Sequence, residues 1–169
     1  MIIISGGQTG ADIAGLKIAS LLGIPTTGYA ARNFMTENGP DESLAKYFLI
    51  DEKLSYPQRT ILNCTVADLT LLFVFDETSP GSKIVKKHAK KLKIINLFKL
   101  RKIELEKPDF CLRIEIEKIA SQFELSNNMI VNIAGNRESF SPGHVERLTS
   151  MVLVEALNPF RQCGHSPLA

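Results

Sequence analysis

The chain opens on an apolar run, Ile2-Ile3-Ile4, then a glycine-rich stretch, Ser5-Gly6-Gly7-Gln8-Thr9-Gly10. Beyond Gly10 the apolar positions fall into helical spacing, with Ile13, Ala14, Ile18, Ala19, Leu21 and Leu22 available for one inward face. A β-branched run predicts a short buried strand, and the spacing after it predicts a helix. Gly23 suits a left-handed C-cap and Pro25 blocks continuation, so the helix should end there. Thr26–Tyr29 reads as a second strand. Residues 30–54 are weakly periodic, with Asn38-Gly39-Pro40 as the clearest turn. So long a loop points to a site, with Arg32 and Glu37 as ligand contacts or, more simply, as solvated charges.

Pro57 opens a helix running through Cys64. Leu69–Phe75 is apolar without interruption, as a central parallel strand buried on both faces would be. The turn Thr78-Ser79-Pro80-Gly81-Ser82 leads into a helix whose apolar stripe is Ile84, Val85, His88, Ala89 and Leu92. Ile94–Leu97 reads as a fourth strand, and residues 98–109 as a basic, irregular excursion. Leu112, Ile116, Ile119, Ala120 and Phe123 support a helix, and Met129–Ile133 a fifth strand. The last helix takes Ser141 as N-cap and Pro142 at its first position, with Val145, Leu148, Val152 and Ala156 facing inward. Alternating strands and helices predict a mainly parallel five-stranded sheet with right-handed crossovers. The expected organisation is one domain over residues 1–157 and a C-terminal tail over 158–169. In that tail Cys163 and His165 give a C-x-H spacing, read as a frayed terminus before a metal site.

Composition excludes more than it selects. At 169 residues, with 44% hydrophobic and 22% charged, the chain has an ordinary globular balance. A net charge of +2 does not demand nucleic acid or an anionic membrane. No apolar run reaches the length of a membrane span, and the chain starts directly on its first strand, so a soluble cytoplasmic protein without a signal peptide is expected. The three cysteines, Cys64, Cys111 and Cys163, lack close spacing, which argues against a disulfide framework or a zinc knuckle. Lys83, Lys86, Lys87, Lys90 and Lys91 invite a nucleic-acid reading. Their amphipathic placement, with no interleaved aromatic residues, favours a solvated helix face, and nucleic acid is not the expected partner.

Candidate chemistry gathers in three turns, each following a strand: Gly6 to Gly10, Pro80 to Ser82, and Gly135 to Ser139. In a parallel sheet these fall on one edge, where ligands bind as strand order reverses. A strand, a glycine turn and a helix start bring free N–H groups and the helix dipole together, which suits phosphate. Neither standard nucleotide fingerprint fits the first turn, so glycines placed only for packing remain an equal reading there. Thr9 and Asp12 likewise have capping-box spacing.

Three segments taken together, 4–12 (Ile-Ser-Gly-Gly-Gln-Thr-Gly-Ala-Asp), 56–60 (Tyr-Pro-Gln-Arg-Thr, with Asn63 following) and 132–139 (Asn-Ile-Ala-Gly-Asn-Arg-Glu-Ser), resemble the molybdenum carrier family, a circularly permuted branch of the SLOG superfamily. The resemblance spans about residues 2–157. It implies a Rossmann-like three-layer α/β sandwich, a site for a nucleotide or nucleotide-like phosphorylated ligand, and homo-oligomers. Matched position by position, the ligand contacts would be Gly6, Gly7, Gln8, Thr9, Gly10, Arg59, Asn63, Gly135, Arg137, Glu138 and Ser139. Gly81 and Ser82 belong to a second turn that departs from the family's paired glycines. The Pro-Gly-Gly-x-Gly-Thr turn of SLOG enzymes that cleave N-glycosidic bonds is absent.

Three functions follow as expectations. The first is binding of a phosphorylated nucleotide-type ligand, with molybdenum cofactor (molybdopterin) as one candidate and no protein metal ligands required. The second is a nucleotide hydrolase using Asp12 or Glu138 as catalytic carboxylate. The third is a nucleic-acid-binding module using the lysine-rich helix.

Overall fold

The computed structural model describes residues 1–162. Its strands are β1 (Ile2–Ser5), β2 (Thr26–Tyr29), β3 (Met35–Thr36), β4 (Gly39–Pro40), β5 (Leu49–Ile50), β6 (Leu69–Val74), β7 (Leu92–Asn96) and β8 (Ile130–Gly135). Its α-helices are α1 (Ala11–Leu21), α2 (Tyr56–Val66), α3 (Pro80–His88), α4 (Leu97–Glu106), α5 (Asp109–Ser121) and α6 (Val145–Leu157). The main sheet has six strands in the order β5-β2-β1-β8-β6-β7, and β3 and β4 form a separate two-stranded hairpin. Every pairing in the main sheet is parallel. The architecture is α/β and Rossmann-like, with six strands in place of the expected five.

The sixth strand is β5, which pairs Gly28 with Leu49 and Tyr29 with Ile50. Two residues are too few to leave a periodic signal, so the sequence shows only a loop there. Residues 30–54 otherwise fold into the hairpin and two 3₁₀ turns, Arg32–Phe34 and Glu42–Tyr47. Leu44, Tyr47 and Leu49 pack with Leu16 and Ala30 in a small core of their own.

The continuous apolarity of β6 has a direct reading. Leu69, Leu71 and Phe73 join the large core on one face, beneath α1, α4, α5 and α6. Leu72 and Val74 point the other way, into a smaller core with Val85 of α3 and Cys64 of α2. Helices on both faces make three layers, and a strand buried on both sides has no polar positions to alternate.

Three boundaries differ from expectation. Residues 98–109 are largely α4: Leu97 and Leu100 are buried, Ile103 packs against the same core, and Asn96 accepts the Lys99 amide at 2.9 Å as N-cap. Its inward residues, Leu97, Leu100 and Ile103, stand among charged ones while Phe98 and Leu105 are apolar but exposed, which blurred the periodicity and hid this helix. Leu92 belongs to β7, since α3 stops at His88. The last helix starts at Val145 instead of after Ser141, because Gly143 takes a left-handed φ of 77° that no α-helix continues through. Its inward face is nonetheless Val145, Leu148, Val152 and Ala156. Residues Asn158–Phe160 form a 3₁₀ turn, with Phe160 packed on the large core. Cys163 and His165 lie outside the described residues.

Candidate functional site

Strand order reverses around β8. From β1 the chain moves through α1 to β2 on one side, while from β6 it moves through α3 to β7 on the other. The carboxyl ends of β1, β8 and β6 therefore open onto one crevice, the place where doubly wound sheets bind ligands. A cleft of about 500 Å³ lies there. It is framed by Gln8 and Asp12 after β1, Gly135 to Arg137 after β8, the start of α2 at Tyr56 and Arg59, and the start of α3 at Ser79 and Gly81.

The inner end is a buried polar cluster. Asp12, 3% exposed, receives Arg59 Nη1 at 2.7 Å and the Gln8 amide at 3.3 Å on the same carboxylate oxygen, Oδ2. Gln8 Oε1 accepts the Thr9 and Glu37 amides at 3.0 and 2.8 Å. Two backbone donors on one oxygen fix the orientation of the Gln8 amide, so its other tip must be the NH2 group. That group, Nε2, is buried without a partner, and so is Arg59 Nε. Two orphan donors at the end of a cleft are unusual, because buried polar groups are nearly always paired.

The outer part is more open. Arg137 is exposed and lies over the Tyr56 ring at 5.4 Å. It forms no ion pair among the described residues. Pro80 starts α3 without an N–H, and Ser79 Oγ accepts the Ser82 amide at 3.2 Å. The Gly81 amide, next in the first turn, has no acceptor within range among the described residues, and a Cβ added at Gly81 would meet only open space. The α3 N-terminus thus offers a free amide and the positive end of a dipole.

The first glycine turn is different. A Cβ on Gly6 would sit 1.3 Å from Arg59 Nη1, on Gly7 2.8 Å from Leu49, and on Gly10 2.5 Å from the Asn136 carbonyl. These glycines admit protein, not ligand, and none of them lines the cleft. Nor do Thr9 and Asp12 form a capping box. Thr9 Oγ1 instead accepts the Glu138 amide at 3.2 Å and donates to Glu37, tying the first turn to the last. Ser139 also donates to Glu37, through its amide at 3.2 Å and its hydroxyl. Burial works to raise the Glu37 pKa, but the hydrogen bonds from Ser139 and Thr9 and the Arg137 charge outweigh it and hold the carboxyl below its usual range. Arg32 is exposed on its loop, outside the cleft.

Of the sequence candidates, the cleft gathers Gln8, Asp12, Arg59, Gly81, Gly135, Arg137 and Ser139. Asn63 is spent elsewhere: its amide accepts from Tyr29 N at 2.9 Å and donates to Tyr29 O at 3.0 Å, clamping β2. Ser82 is buried against Ser79. Glu138 turns to the opposite side, where Oε2 accepts the Glu146 amide at 2.8 Å and caps α6. As catalytic candidates, Glu138 is therefore outside the cleft, and Asp12 is already held by Arg59. The sequence reading missed Tyr56 and Phe140 as walls, although Tyr56 stood in a matched segment. Asn136, also missed, binds the Phe75 and Asp76 amides at 2.7 and 2.9 Å and joins the ends of β6 and β8.

A larger groove, about 1060 Å³, runs between α5 and α6 on the far face. Hydrogen bonds from Arg147 outweigh burial there and, with Arg101, bring the Glu104 carboxyl down to about 2. The groove holds none of the three turns apart from Glu138, and among the described residues none that lines it carries a buried unpaired donor, so the crevice is the better candidate. The lysine-rich stretch of α3 and the residues just after it is partly neutralised, with Lys86 paired to Glu77 and Lys91 to Glu124. Among the described residues no group of three potential metal-ligating side chains comes together, and no helix is long and apolar enough to cross a membrane.

Fold and crevice together define a Rossmann-like protein with its candidate site at the switch point of a parallel sheet. Residues 3–157 match the circularly permutated YpsA SLOG family, and the chain belongs to that family. A crystal structure of a protein from Syntrophus aciditrophicus, named "Putative molybdenum carrier protein", superposes with a TM-score of 0.74 at 30% identity, covering 92% of this chain and 94% of that one. No curated protein matches the chain.

Proposed function

We propose that the protein binds a phosphorylated, nucleotide-type small molecule in the crevice between α2 and α3. The observation that carries this reading is the pair of buried orphan donors, Gln8 Nε2 and Arg59 Nε, in a cleft that also exposes the α3 N-terminus and Arg137, which has no ion-pair partner among the described residues. A ligand rich in oxygen acceptors, with an anionic group, supplies what these residues lack. The anion belongs on Gly81 and Arg137, and the ring of the ligand beside the Tyr56 wall.

The neighbour's name suggests molybdenum as cargo. The donor set, N–H groups with no thiolate or imidazole among the lining residues, fits such a cargo carried inside an organic phosphate such as a pterin cofactor. Cys64 is no substitute, for it is fully buried outside the cleft and burial, outweighing a Thr70 hydrogen bond, pushes its thiol up to about 11. A carrier also needs no acid–base pair, which agrees with Asp12 being locked and Glu138 facing away.

Native mass spectrometry of the purified protein, followed by a thermal-shift panel of nucleotides and pterin phosphates, tests the reading. A ligand at a hundred times its dissociation constant adds about 2.7 kcal/mol of stability. The expected result is an adduct or a shift that Arg137→Ala weakens at least about tenfold in affinity, as loss of a charge-assisted contact does. No adduct and no shift across the panel would overturn it.

A further inference from the structure

We infer that the inner end of the cleft selects for a ring carbonyl: the preferred ligand carries an oxo-substituted heterocycle, of the 6-oxopurine or pterin type, and not a 6-aminopurine. This rests on the crevice being the binding site. It goes further by assigning which end of the ligand enters first and which chemical group is read.

Charge sets the direction of entry. Arg59 supplies the positive charge at the inner end, and Asp12 neutralises it at 2.7 Å while both are largely buried, at 11% and 4% side-chain exposure. A phosphate pushed inward would meet the Asp12 carboxylate at close range in a poorly solvated place, where like charges repel strongly. The outer end has the opposite character, with the exposed Arg137 and the α3 N-terminus. An anionic ligand therefore enters ring first.

Hydrogen-bond polarity then fixes what the ring must show. Gln8 through its backbone amide and Arg59 through Nη1 bond the same Asp12 oxygen, which brings both side chains to the same end of the cleft. Both orphans are donors. The acceptor side of Gln8 is already used by the Thr9 and Glu37 amides and cannot turn over without breaking both. A ring carbonyl satisfies these donors. An exocyclic amino group would bring a third donor against them and leave all of them unpaired, which is the costly case. The rigidity of Gln8 makes the discrimination one-sided.

Inosine and adenosine 5′-monophosphate share charge, sugar and ring size and differ at position 6, oxo against amino, and at the neighbouring N1, which donates in the first and accepts in the second. Titration calorimetry of both against the full chain tests the inference. The expected result is that the inosine nucleotide binds at least about tenfold more tightly, the effect of one buried hydrogen bond made or denied. Gln8→Glu keeps an oxygen for the Thr9 and Glu37 amides but replaces the Nε2 donor by an acceptor, and it should erase or invert the preference. Equal or tighter binding of the adenosine nucleotide would overturn the inference and leave the cleft reading standing, as would a preference that Gln8→Glu does not change. If neither nucleotide nor any pterin phosphate binds, both readings fall. Should Gln8→Glu not fold, judged by circular dichroism, the wild-type ratio decides alone.

Discussion

Two glycine-bearing turns lie on the same edge of the sheet and do opposite things. The first, Gly6 to Gly10, is filled: Arg59, Leu49 and the backbone at Asn136 press to within 1.3–2.8 Å of where side chains would be. The second, at Gly81, is open, with nothing within 4 Å of the same position. Glycine in the first turn lets the protein pack against itself and seat Arg59 on Asp12. In the second it leaves a helix N-terminus bare. A glycine-rich turn after a strand is thus a statement about close approach, and only the neighbours say whether the approaching group is protein or ligand.

Gly10→Ala should have the largest effect. The residue takes a φ of +75° and has no room for a methyl group. Strain and collision together should destabilise the fold by about 3 kcal/mol or more, read from urea unfolding. An effect below about 0.5 kcal/mol would show the first turn to be as open as the second.

Glu37→Ala should come next. The Glu37 carboxylate accepts from Thr9 and from the amide and hydroxyl of Ser139, so its loss should cost about 1–2 kcal/mol near neutral pH. Because the folded-state pKa is depressed, this contribution is complete above the usual carboxylate range and fades as pH falls through the folded value. Wild type and Glu37→Ala should therefore converge in melting temperature as the pH is lowered toward and below 4. A gap that holds constant in acid would mean that the clasp does not depend on ionisation.

The smallest effect on stability is expected at Gly81→Ala, within about 0.5 kcal/mol, since the methyl group meets open space and alanine suits a helix. Its consequence should appear in binding instead, as a several-fold loss of affinity for phosphorylated ligands in the thermal-shift panel. Unchanged affinity would move the anion away from α3. Gly10→Ala and Gly81→Ala thus test the two turns by opposite readouts.

Much of the molecule was legible in the chain. Local patterning was enough for β1, β6, β8 and the core face of α6, because each buries a run of residues whose spacing matches its element. Residues 49–50 and 98–106 were not legible: β5 is two residues long, and α4 buries few residues that only the neighbouring α5 and α6 make into a core. Of the site, the three turns could be named from order and spacing, and Arg59 from its place in a segment that resembles the family. Asn63 and Glu138 could not be judged, since a polar side chain in a matched segment looks the same whether it faces a cleft, β2 or α6.

By itself, then, the sequence determined a parallel α/β sheet, the edge on which its turns gather, and the family to which the motifs point. Only the tertiary structure decided which turn is open, that Asp12 neutralises Arg59, and that Gln8 is left with a donor and no acceptor. Periodicity is a property of neighbours along the chain. Whether a hydrogen-bonding group is satisfied depends on partners brought in from 28 to 128 positions away, as Glu37 is to Thr9 and Ser5 to Ile133, and no local pattern encodes them.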